Sequence, residues 1–177
     1  HWTSGRTYQA MAAVAKARGR PAEAESLAVQ SLTIKRIAYG PKSADVAQQL
    51  INVALMIEAR GDTARAIPVV RESLGLLTAF RPPTDGNVVL TRRILAIELC
   101  ATGAFAEGDS VIRTAIASAP LDTTQFAPYR VRAAHGYCLM RERKFAEAEP
   151  LLLEAESRFR AMGSPPAKRY GAQTIGW

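Results

Sequence analysis

Few side chains in this sequence could carry catalysis or hold a metal ion, and they stand far apart. There are two cysteines, Cys100 and Cys138, and two histidines, His1 and His135. Neither cysteine belongs to a CxxC motif, and the His and Cys residues do not have the spacing of a metal site. Each cysteine stands in an apolar run, so we expect two separate, small buried side chains, which suit a reducing compartment.

The remaining titratable candidates have structural explanations. His135 comes one residue before a small residue of a predicted helix, which favours a packed imidazole over a general base. The acidic pairs Glu23 and Glu25, and Glu147 and Glu149, fall in the first turns of predicted helices, where the helix dipole stabilises acids. The sequence suggests no Ser–His–acid set. We therefore predict no catalytic residue, no cofactor and no metal.

The composition of the chain favours helices. Of its 177 residues, 48% are hydrophobic and 7% aromatic, and Ala and Leu, which lose little side-chain freedom in a helix, predominate. No run of about 18 apolar residues occurs, so we expect no membrane insertion. The sequence begins at His1 without a signal-peptide pattern. We therefore expect a cytoplasmic segment of a longer protein.

The net charge of +7 permits binding to acidic partners, including nucleic acid. The Lys and Arg residues are scattered among Glu, as on an ordinary solvated surface. The most basic stretch, RVRAAHGYCLMRERK at 130–144, holds a single Tyr and no aromatic platform on which bases could stack. The charge pattern therefore argues against a nucleic-acid ligand, which we keep as a third hypothesis only.

A repeat organises the whole sequence. The stretch GRPAEAESLAVQSL starts at Gly19 and has counterparts in GDTARAIPVVRESL from Gly61, GAFAEGDSVIRTAI from Gly103 and RKFAEAEPLLLEAE from Arg143. The starting points are 42, 42 and 40 residues apart. A fixed period of this length is typical of solenoid repeats.

Small residues recur at the same places in every repeat and predict a helix–turn–helix unit whose helices cross closely. A Gly at three of the four turns supplies the left-handed conformation that ends a helix. The small positions form three series: Ala12, Ala54, Ala96 and Gly136 before the turn, Ala22, Ala64, Ala106 and Ala146 after it, then Ala24, Ala66, Gly108 and Ala148.

We predict an all-α protein with a single array over 1–177 and no strand. Ser43 is a predicted N-cap, and we expect Pro68 and Pro150 to delay or bend their helices. The predicted helices are 7–18, 22–38, 44–60, 64–79, 87–102, 105–118, 125–142 and 146–161. The predicted repeats are 7–38, 44–80, 87–118 and 125–161, with a partial fifth at 168–177.

The stretch 23–67 resembles the kinesin-light-chain type of tetratricopeptide repeat (TPR), whose linker reads approximately LGP-HP-VA-LNNLA. This resemblance implies a right-handed α-α superhelix with the first helix of each pair on the concave side. It also implies a protein or peptide partner. The chain is similar, in period and linker, to segments that follow the catalytic domain of some bacterial serine/threonine kinases, but it has none of the kinase motifs.

The resemblance also implies which residues line a groove. Their mixture of cations, amides and apolar anchors suits an extended peptide of acidic character. Leu90 and Ile94 stand where two cations of the family's carboxylate clamp would be, so that activity is not carried over. The candidate partner-binding residues are Arg6, Gln9, Lys16, Gln48, Asn52, Leu55, Arg93, Ile97, Arg130 and Tyr137.

Two hypotheses of function rank above nucleic-acid binding. The first is a non-catalytic interaction scaffold, part of a larger regulatory protein, that binds a peptide or protein in the groove. The second is a regulatory segment of a bacterial serine/threonine kinase whose catalytic domain lies upstream.

Overall fold

The described residues of the computed structural model, 2–119 and 126–161, form eight helices and no strand. The predicted all-α class is therefore confirmed, while the predicted partial repeat at 168–177 lies outside the described residues. No helix within them is both long and apolar enough to cross a bilayer. The helices are α1 (Trp2–Ala17), α2 (Pro21–Tyr39), α3 (Ala44–Glu58), α4 (Thr63–Phe80), α5 (Gly86–Ala101), α6 (Phe105–Ser118), α7 (Phe126–Arg141) and α8 (Phe145–Ala161).

The chain divides into two compact units, His1–Pro82 and Pro83–Trp177, called unit 1 and unit 2 below. Each unit contains two helix pairs, which correspond to two predicted repeats. In unit 1, α2 packs against both α1 and α3, and α3 packs against α4. In unit 2, α5, α6 and α7 pack on one another, and α7 packs against α8. The single array over 1–177 stays a prediction.

The same tight turn joins the two helices of every pair. The left-handed residue is Gly19, Gly61 or Gly103 in the first three turns, with φ of 70°, 82° and 88°, as the sequence predicts. In the fourth turn Arg143 takes this conformation, with φ of 67°. Each turn is closed by a bond from an N–H to the carbonyl five residues earlier: Arg20 to Ala15, Asp62 to Ile57, Ala104 to Leu99 and Lys144 to Leu139.

Close packing of the two helices explains the small residues. A Cβ on Gly108 would lie 2.5 Å from Cys100 Sγ, and one on Gly136 would lie 2.9 Å from Leu152 Cγ. Two of the predicted series are buried in this way. The third is not at the crossing, since its members, Ala22, Ala64, Ala106 and Ala146, are exposed.

The start of the first helix differs from the prediction because of a contact with the next helix. Helix α1 begins at Trp2 rather than at position 7. Gly5 lies against α2, and its carbonyl accepts a hydrogen bond from Ser31 Oγ at 2.7 Å. The start of α3 agrees with the prediction, since Ser43 caps it with its Oγ accepting from Val46 N at 3.3 Å.

Two prolines lie inside helices and do not shift the first residue of the helix toward the C-terminus, which was one of the two effects expected of them. Pro68 and Pro150 each lie five residues after the start of their helix, in α4 and α8. A proline has no N–H, so the carbonyl four residues earlier loses its helical bond. Those carbonyls belong to Ala64 and Ala146, which are exposed. Water can replace the missing bond there, so the helices tolerate the prolines.

The two cysteines of unit 2 form a disulfide, so the expectation of two separate cysteines was wrong. Both side chains are buried, as predicted. The Cα atoms of Cys100 and Cys138 lie 5.2 Å apart, although 38 residues separate them in sequence. The packing of α5 beside α7 brings the two cysteines together. A disulfide of this kind has no CxxC motif by which the sequence could predict it.

Candidate functional site

A polar network in unit 1 holds two of the predicted groove residues. The ammonium group of Lys35 donates to Gln9 Oε1 at 3.0 Å and to Gln49 Oε1 at 3.1 Å. The Asn52 amide donates to the same Gln49 oxygen at 3.2 Å, and Gln49 Nε2 donates to the Ala28 carbonyl at 3.0 Å. The amides of Gln9 and Asn52 are therefore positioned by hydrogen bonds from α2 and within α3.

Burial gives this network its electrostatic character. Gln49 is fully buried and Lys35 is 9% exposed. Burial lowers the pKa of Lys35, as does the nearby charge of Arg6, while Asp45 raises it. The two glutamine oxygens supply the ammonium with polar partners where water is excluded.

Sequence reasoning missed Lys35 and Gln49, although the repeat carries a signal for the first of them. In the repeat register, Lys35 occupies the position of Leu77 and Phe159, which are 4% and 1% exposed. A lysine at a position that is apolar and buried in other repeats predicts a buried ammonium with dedicated acceptors. Gln49 is one such acceptor, in register with Thr91, which is also buried.

The other predicted residues of unit 1 lie at its surface. Arg6, Lys16 and Gln48 are exposed, and Leu55 is half-buried. None of them belongs to the hydrogen-bond network described above. Their role in binding stays a prediction.

In unit 2, two of the predicted cations line one cavity. Arg93 and Arg130, both half-buried, come from the N-terminal halves of α5 and α7. The cavity has a volume of about 300 Å³. None of its described lining residues is acidic, and these are Thr84, Gly86, Val89, Leu90, Arg93, Ala119, Ala127, Pro128 and Arg130.

Local capping and bracing place the first turns of α5 beside this cavity. Asp85 caps α5 and accepts a hydrogen bond from Asn87 N at 2.8 Å. The neighbouring Arg92 points to the other side, where it donates to Ser118 Oγ at 3.1 Å and to the Pro83 carbonyl at 3.2 Å. These bonds tie the start of α5 to the end of α6 and fix the helix that carries Arg93.

A second cavity shares Ala119 and Pro128 with the first and is a weaker candidate. It has a volume of about 260 Å³ and is also lined by Ile116, Ala117 and Arg132. Arg132 donates to Glu154 at 2.6 Å. The cation of this cavity is therefore engaged by a carboxylate of α8.

The last two predicted residues, Ile97 and Tyr137, lie deeper in unit 2. Ile97 is half-buried and packs beside Cys100 and Cys138. Tyr137 is 6% exposed and belongs to the same cluster. The Arg141 guanidinium lies 3.4 Å from the Tyr137 hydroxyl. The structure thus places the Tyr137 ring against the disulfide, and its part in binding stays a prediction.

The side chain of His135 contacts a carboxylate. Its side chain is 13% exposed, and Nε2 lies 3.2 Å from Asp109 Oδ1. The other oxygen of Asp109 accepts from Arg113 Nε at 2.6 Å. The bond from Arg113 lowers the pKa of Asp109, burial opposes it, and the contact with His135 lowers it further. The His135 imidazole is therefore largely buried, as predicted. In addition, it contacts the carboxylate of Asp109, which the sequence did not predict.

No group of three or more His, Cys, Asp or Glu residues within 2–119 and 126–161 could hold a metal ion. Within the described residues, the cavity with Arg93 and Arg130 is the candidate site of unit 2.

Comparison with known proteins identifies the fold. No protein-family profile matches the sequence, and no curated protein matches it. Among solved structures, the chain is similar to a kinesin-light-chain-type protein of Podosopora anserina with nearly identical TPR-like repeats, with a TM-score of 0.76 and 14% identity over 99% of this chain and 87% of that one. It is also similar to BtubC (BKLC) from P. vanneervenii, with a TM-score of 0.74 and 17% identity over 90% of this chain and 65% of that one. The chain therefore has the fold of TPR-like repeat proteins.

Proposed function

We propose that the chain is a non-catalytic interaction scaffold that binds an acidic peptide segment and anchors it at the cavity of unit 2. The observation that supports this most is the convergence of Arg93 and Arg130 on one cavity. Both occupy groove positions of the repeat, which the sequence resemblance implies independently of their proximity. The described lining adds apolar walls beside the two arginines.

The chemistry of the cavity suits a carboxylate on an aliphatic stem. A guanidinium group presents a planar fork of N–H donors that binds a carboxylate through two parallel hydrogen bonds. The first turns of α5 and α7 contribute partial positive charge from their N–H groups. A volume of about 300 Å³ is at the small end of ligand sites, so we expect one or two acidic side chains there.

Unit 1, taken by itself, offers a separate set of hydrogen-bonding groups for a peptide. Gln9 and Asn52 in unit 1 have amides that the Lys35–Gln49 network orients, which reduces the entropy lost when they bind a peptide backbone. Arg6, Lys16 and Gln48 add exposed polar groups.

The kinase-regulatory hypothesis rests on the sequence resemblance of period and linker. It proposes that this chain is the sensor part of a serine/threonine kinase with its catalytic domain upstream. Reading the parent reading frame decides it, since the glycine-rich loop and the HRD and DFG motifs would precede this segment.

The disulfide bears on where the protein works. Disulfides persist in oxidising compartments and are rare in the cytosol. The buried Cys100–Cys138 bond therefore argues against the cytoplasmic location expected from the sequence. Alkylation of protein from its native source, followed by mass spectrometry, would find both thiols modified if the cytoplasmic expectation is right.

Binding is tested with a peptide array in which each acidic peptide is paired with a copy carrying Gln and Asn for Glu and Asp. Affinities of the best pairs are then measured by fluorescence anisotropy. We expect Arg93→Glu/Arg130→Glu to weaken binding of the acidic peptides on the order of 100-fold, since two ion pairs become repulsive. The neutral copies should be little affected.

Arg18→Glu/Lys42→Glu is a matched control with the same change in net charge on exposed residues of unit 1 that are not groove candidates. It should weaken binding far less than the cavity variant. Equal loss in both variants would show a general charge effect, and unchanged binding by the cavity variant would refute the proposed site.

A further inference from the structure

A covalent bond joins the two helices that carry the arginines of the unit 2 cavity. Arg93 and Cys100 belong to α5, and Arg130 and Cys138 belong to α7. Cys100 follows Arg93 by seven residues, and Cys138 follows Arg130 by eight. The disulfide is therefore roughly 10–12 Å along the helix axes from the arginines. About two turns of each helix connect a change at the disulfide to the cavity.

The space around the disulfide is filled. On the α6 side, a Cβ on Gly108 would lie 2.5 Å from Cys100 Sγ, so the backbone of α6 approaches this sulfur directly. Two thiols stay farther apart than two bonded sulfurs, because no covalent bond holds them inside van der Waals contact. The side chains that pack against the cysteines are Ile97, Phe105, Tyr137 and Met140. With α6 and these side chains in the way, the sulfurs separate by a shift of α7 relative to α5.

The reduced form has a polar partner for one of its thiols. Cys138 Sγ lies 3.5 Å from the Ala96 carbonyl oxygen of α5. In the disulfide this sulfur carries no hydrogen, whereas a thiol there donates a weak hydrogen bond to that oxygen. The apolar cluster that includes Val89 of α5 and Val131 of α7 does not involve the cysteines. We therefore expect unit 2 to stay folded when the bond is reduced.

The polar contact between the same helix ends is a weak substitute for the disulfide. Arg141 of α7 donates to the Ala101 carbonyl of α5 at 3.0 Å. This hydrogen bond is exposed, so water competes for both groups and its net contribution is small. The disulfide is therefore the main restraint on the alignment of α5 and α7 at this end.

We propose that the Cys100–Cys138 bond is a redox switch for the cavity: the oxidised chain binds the acidic peptide, and reduction by a dithiol weakens that binding. A carboxylate held by two guanidinium groups needs a fixed distance between Arg93 and Arg130. The linked helices fix that distance, and a shift of α7 changes it. This regulation acts on the acidic-peptide function proposed above and rests on it.

The reduction is an exchange of two electrons with a dithiol. One thiolate of the reductant attacks Cys138 Sγ, the more exposed sulfur, with 4% of the residue exposed against 0% for Cys100. The bond between the cysteines breaks, Cys100 leaves as a thiolate and takes a proton, and a mixed disulfide forms on Cys138. The second thiolate of the reductant then releases Cys138, which also takes a proton. The reductant departs as a cyclic disulfide.

The test compares the affinity of the full chain for the best acidic peptide of the array before and after reduction with dithiothreitol. Fluorescence anisotropy gives the affinity, and alkylation followed by mass spectrometry counts the free thiols. We expect no free thiol and tight binding in the oxidised chain. Two free thiols should accompany a Kd weaker on the order of tenfold, and reoxidation should restore the affinity.

Two variants separate the switch from a general loss of stability. Cys100→Ala/Cys138→Ala should bind like the reduced wild type and should not respond to dithiothreitol. Leu139→Ala removes a side chain of α7 that is 5% exposed, which destabilises unit 2 while the disulfide stays intact. It should bind like the oxidised wild type and respond to reduction in the same way. Circular dichroism should show similar helix content in all of these proteins.

The possible failures are distinguishable. An oxidised chain that binds acidic peptides no better than their neutral copies overturns the proposed function and the switch with it. Equal affinity of the oxidised and reduced chains overturns the switch alone. So do two free thiols in the untreated chain, a loss of affinity in Leu139→Ala equal to that on reduction, or a reduced chain that loses its helices and does not regain them on reoxidation.

Discussion

Units 1 and 2 join two helix pairs on the same repeat but use different chemistry to do so. Unit 1 connects its pairs with polar groups, through Lys35 and Gln49 in the interior and Glu25 at the edge. Unit 2 connects its pairs with a disulfide and an apolar cluster that includes Val89, Ile112 and Val131, and a contact between His135 and Asp109 lies beside them. The repeat geometry therefore fixes which positions meet, and it leaves the kind of interaction at those positions open.

The largest expected difference between the units is their response to loss of the disulfide. The bond closes a loop of 38 residues, so Cys100→Ala/Cys138→Ala should destabilise unit 2 by about 3–4 kcal/mol. Hydrogen exchange followed by mass spectrometry should show faster exchange in α5–α8 and little change in α1–α4. The variant should be insensitive to reductant, whereas the wild type loses stability when reduced. Equal exchange in all eight helices would contradict this division.

Loss of the Lys35–Gln49 hydrogen-bond network of unit 1 should have the next largest effect on stability. Gln49→Leu removes the shared acceptor of Lys35 and Asn52 and leaves a buried ammonium with less compensation. We expect a loss of about 2 kcal/mol in urea unfolding. Gln48→Leu, at the exposed neighbour, is the control and should stay within about 0.5 kcal/mol. Equal effects of the two substitutions would show that the network does not join the repeats.

Glu25, the buried acid at the edge of unit 1, makes the stability of that unit depend on pH. Burial raises the pKa of Glu25, but the hydrogen bonds from Arg60 and Arg65 outweigh it and leave the pKa below the usual 4.5. A lowered pKa stabilises the fold fully above pH 4.5, and this stabilisation is lost as the pH falls below that value.

Glu25→Gln should therefore reduce stability by about 1 kcal/mol at neutral pH, because the two arginines are about half exposed and screened. The difference from wild type should shrink as the pH falls below the usual carboxyl pKa. Unfolding curves across the acid range check this. Glu23→Gln, which removes an exposed acid of the same turn, is the control, and a pH-independent difference would exclude the ion pairs as the cause.

The smallest expected change in stability concerns the turn of unit 2, and it is a gain rather than a loss. Arg143 adopts φ of 67° where the other turns use glycine. Arg143→Gly should stabilise unit 2 by about 0.5–1 kcal/mol, because glycine takes this conformation without a Cβ clash. Gly61→Ala, the reverse change in unit 1, should destabilise by a similar or larger amount. Thermal unfolding measures both, and a destabilising Arg143→Gly would show that its side chain contributes more than the backbone strain.

The sequence was sufficient for most of the fold because its signals are local and periodic. The small residues at Ala54 and Ala66 and the glycine between them predict a helix pair from the local pattern alone, since only a small residue fits where helices cross. Ser43 was identified as a cap from its type and its place before an acidic first turn. The start of α1 was missed, because it depends on Ser31 of the next helix rather than on a local signal.

The sequence predicted individual residues of the candidate site, but it did not predict which of them lie close together. Arg93 and Arg130 were identified through their positions in the repeat, yet nothing local shows that they line one cavity. Tyr137 was also predicted as a groove residue, but it is buried against the disulfide instead. The difference arises from the neighbours of each side chain, which come from other helices.

By itself, the sequence determined the helices, their turns and the register that makes residues 42 apart equivalent. These follow from backbone preferences and helical periodicity, which act over a few residues. Only the tertiary structure decided that Cys100 meets Cys138 and that Lys35 finds Gln9 and Gln49. Such contacts depend on the packing of helices distant in sequence, where a displacement of about one ångström decides whether two groups bond. The period fixes which positions face each other, and the packed side chains decide which interaction forms between them.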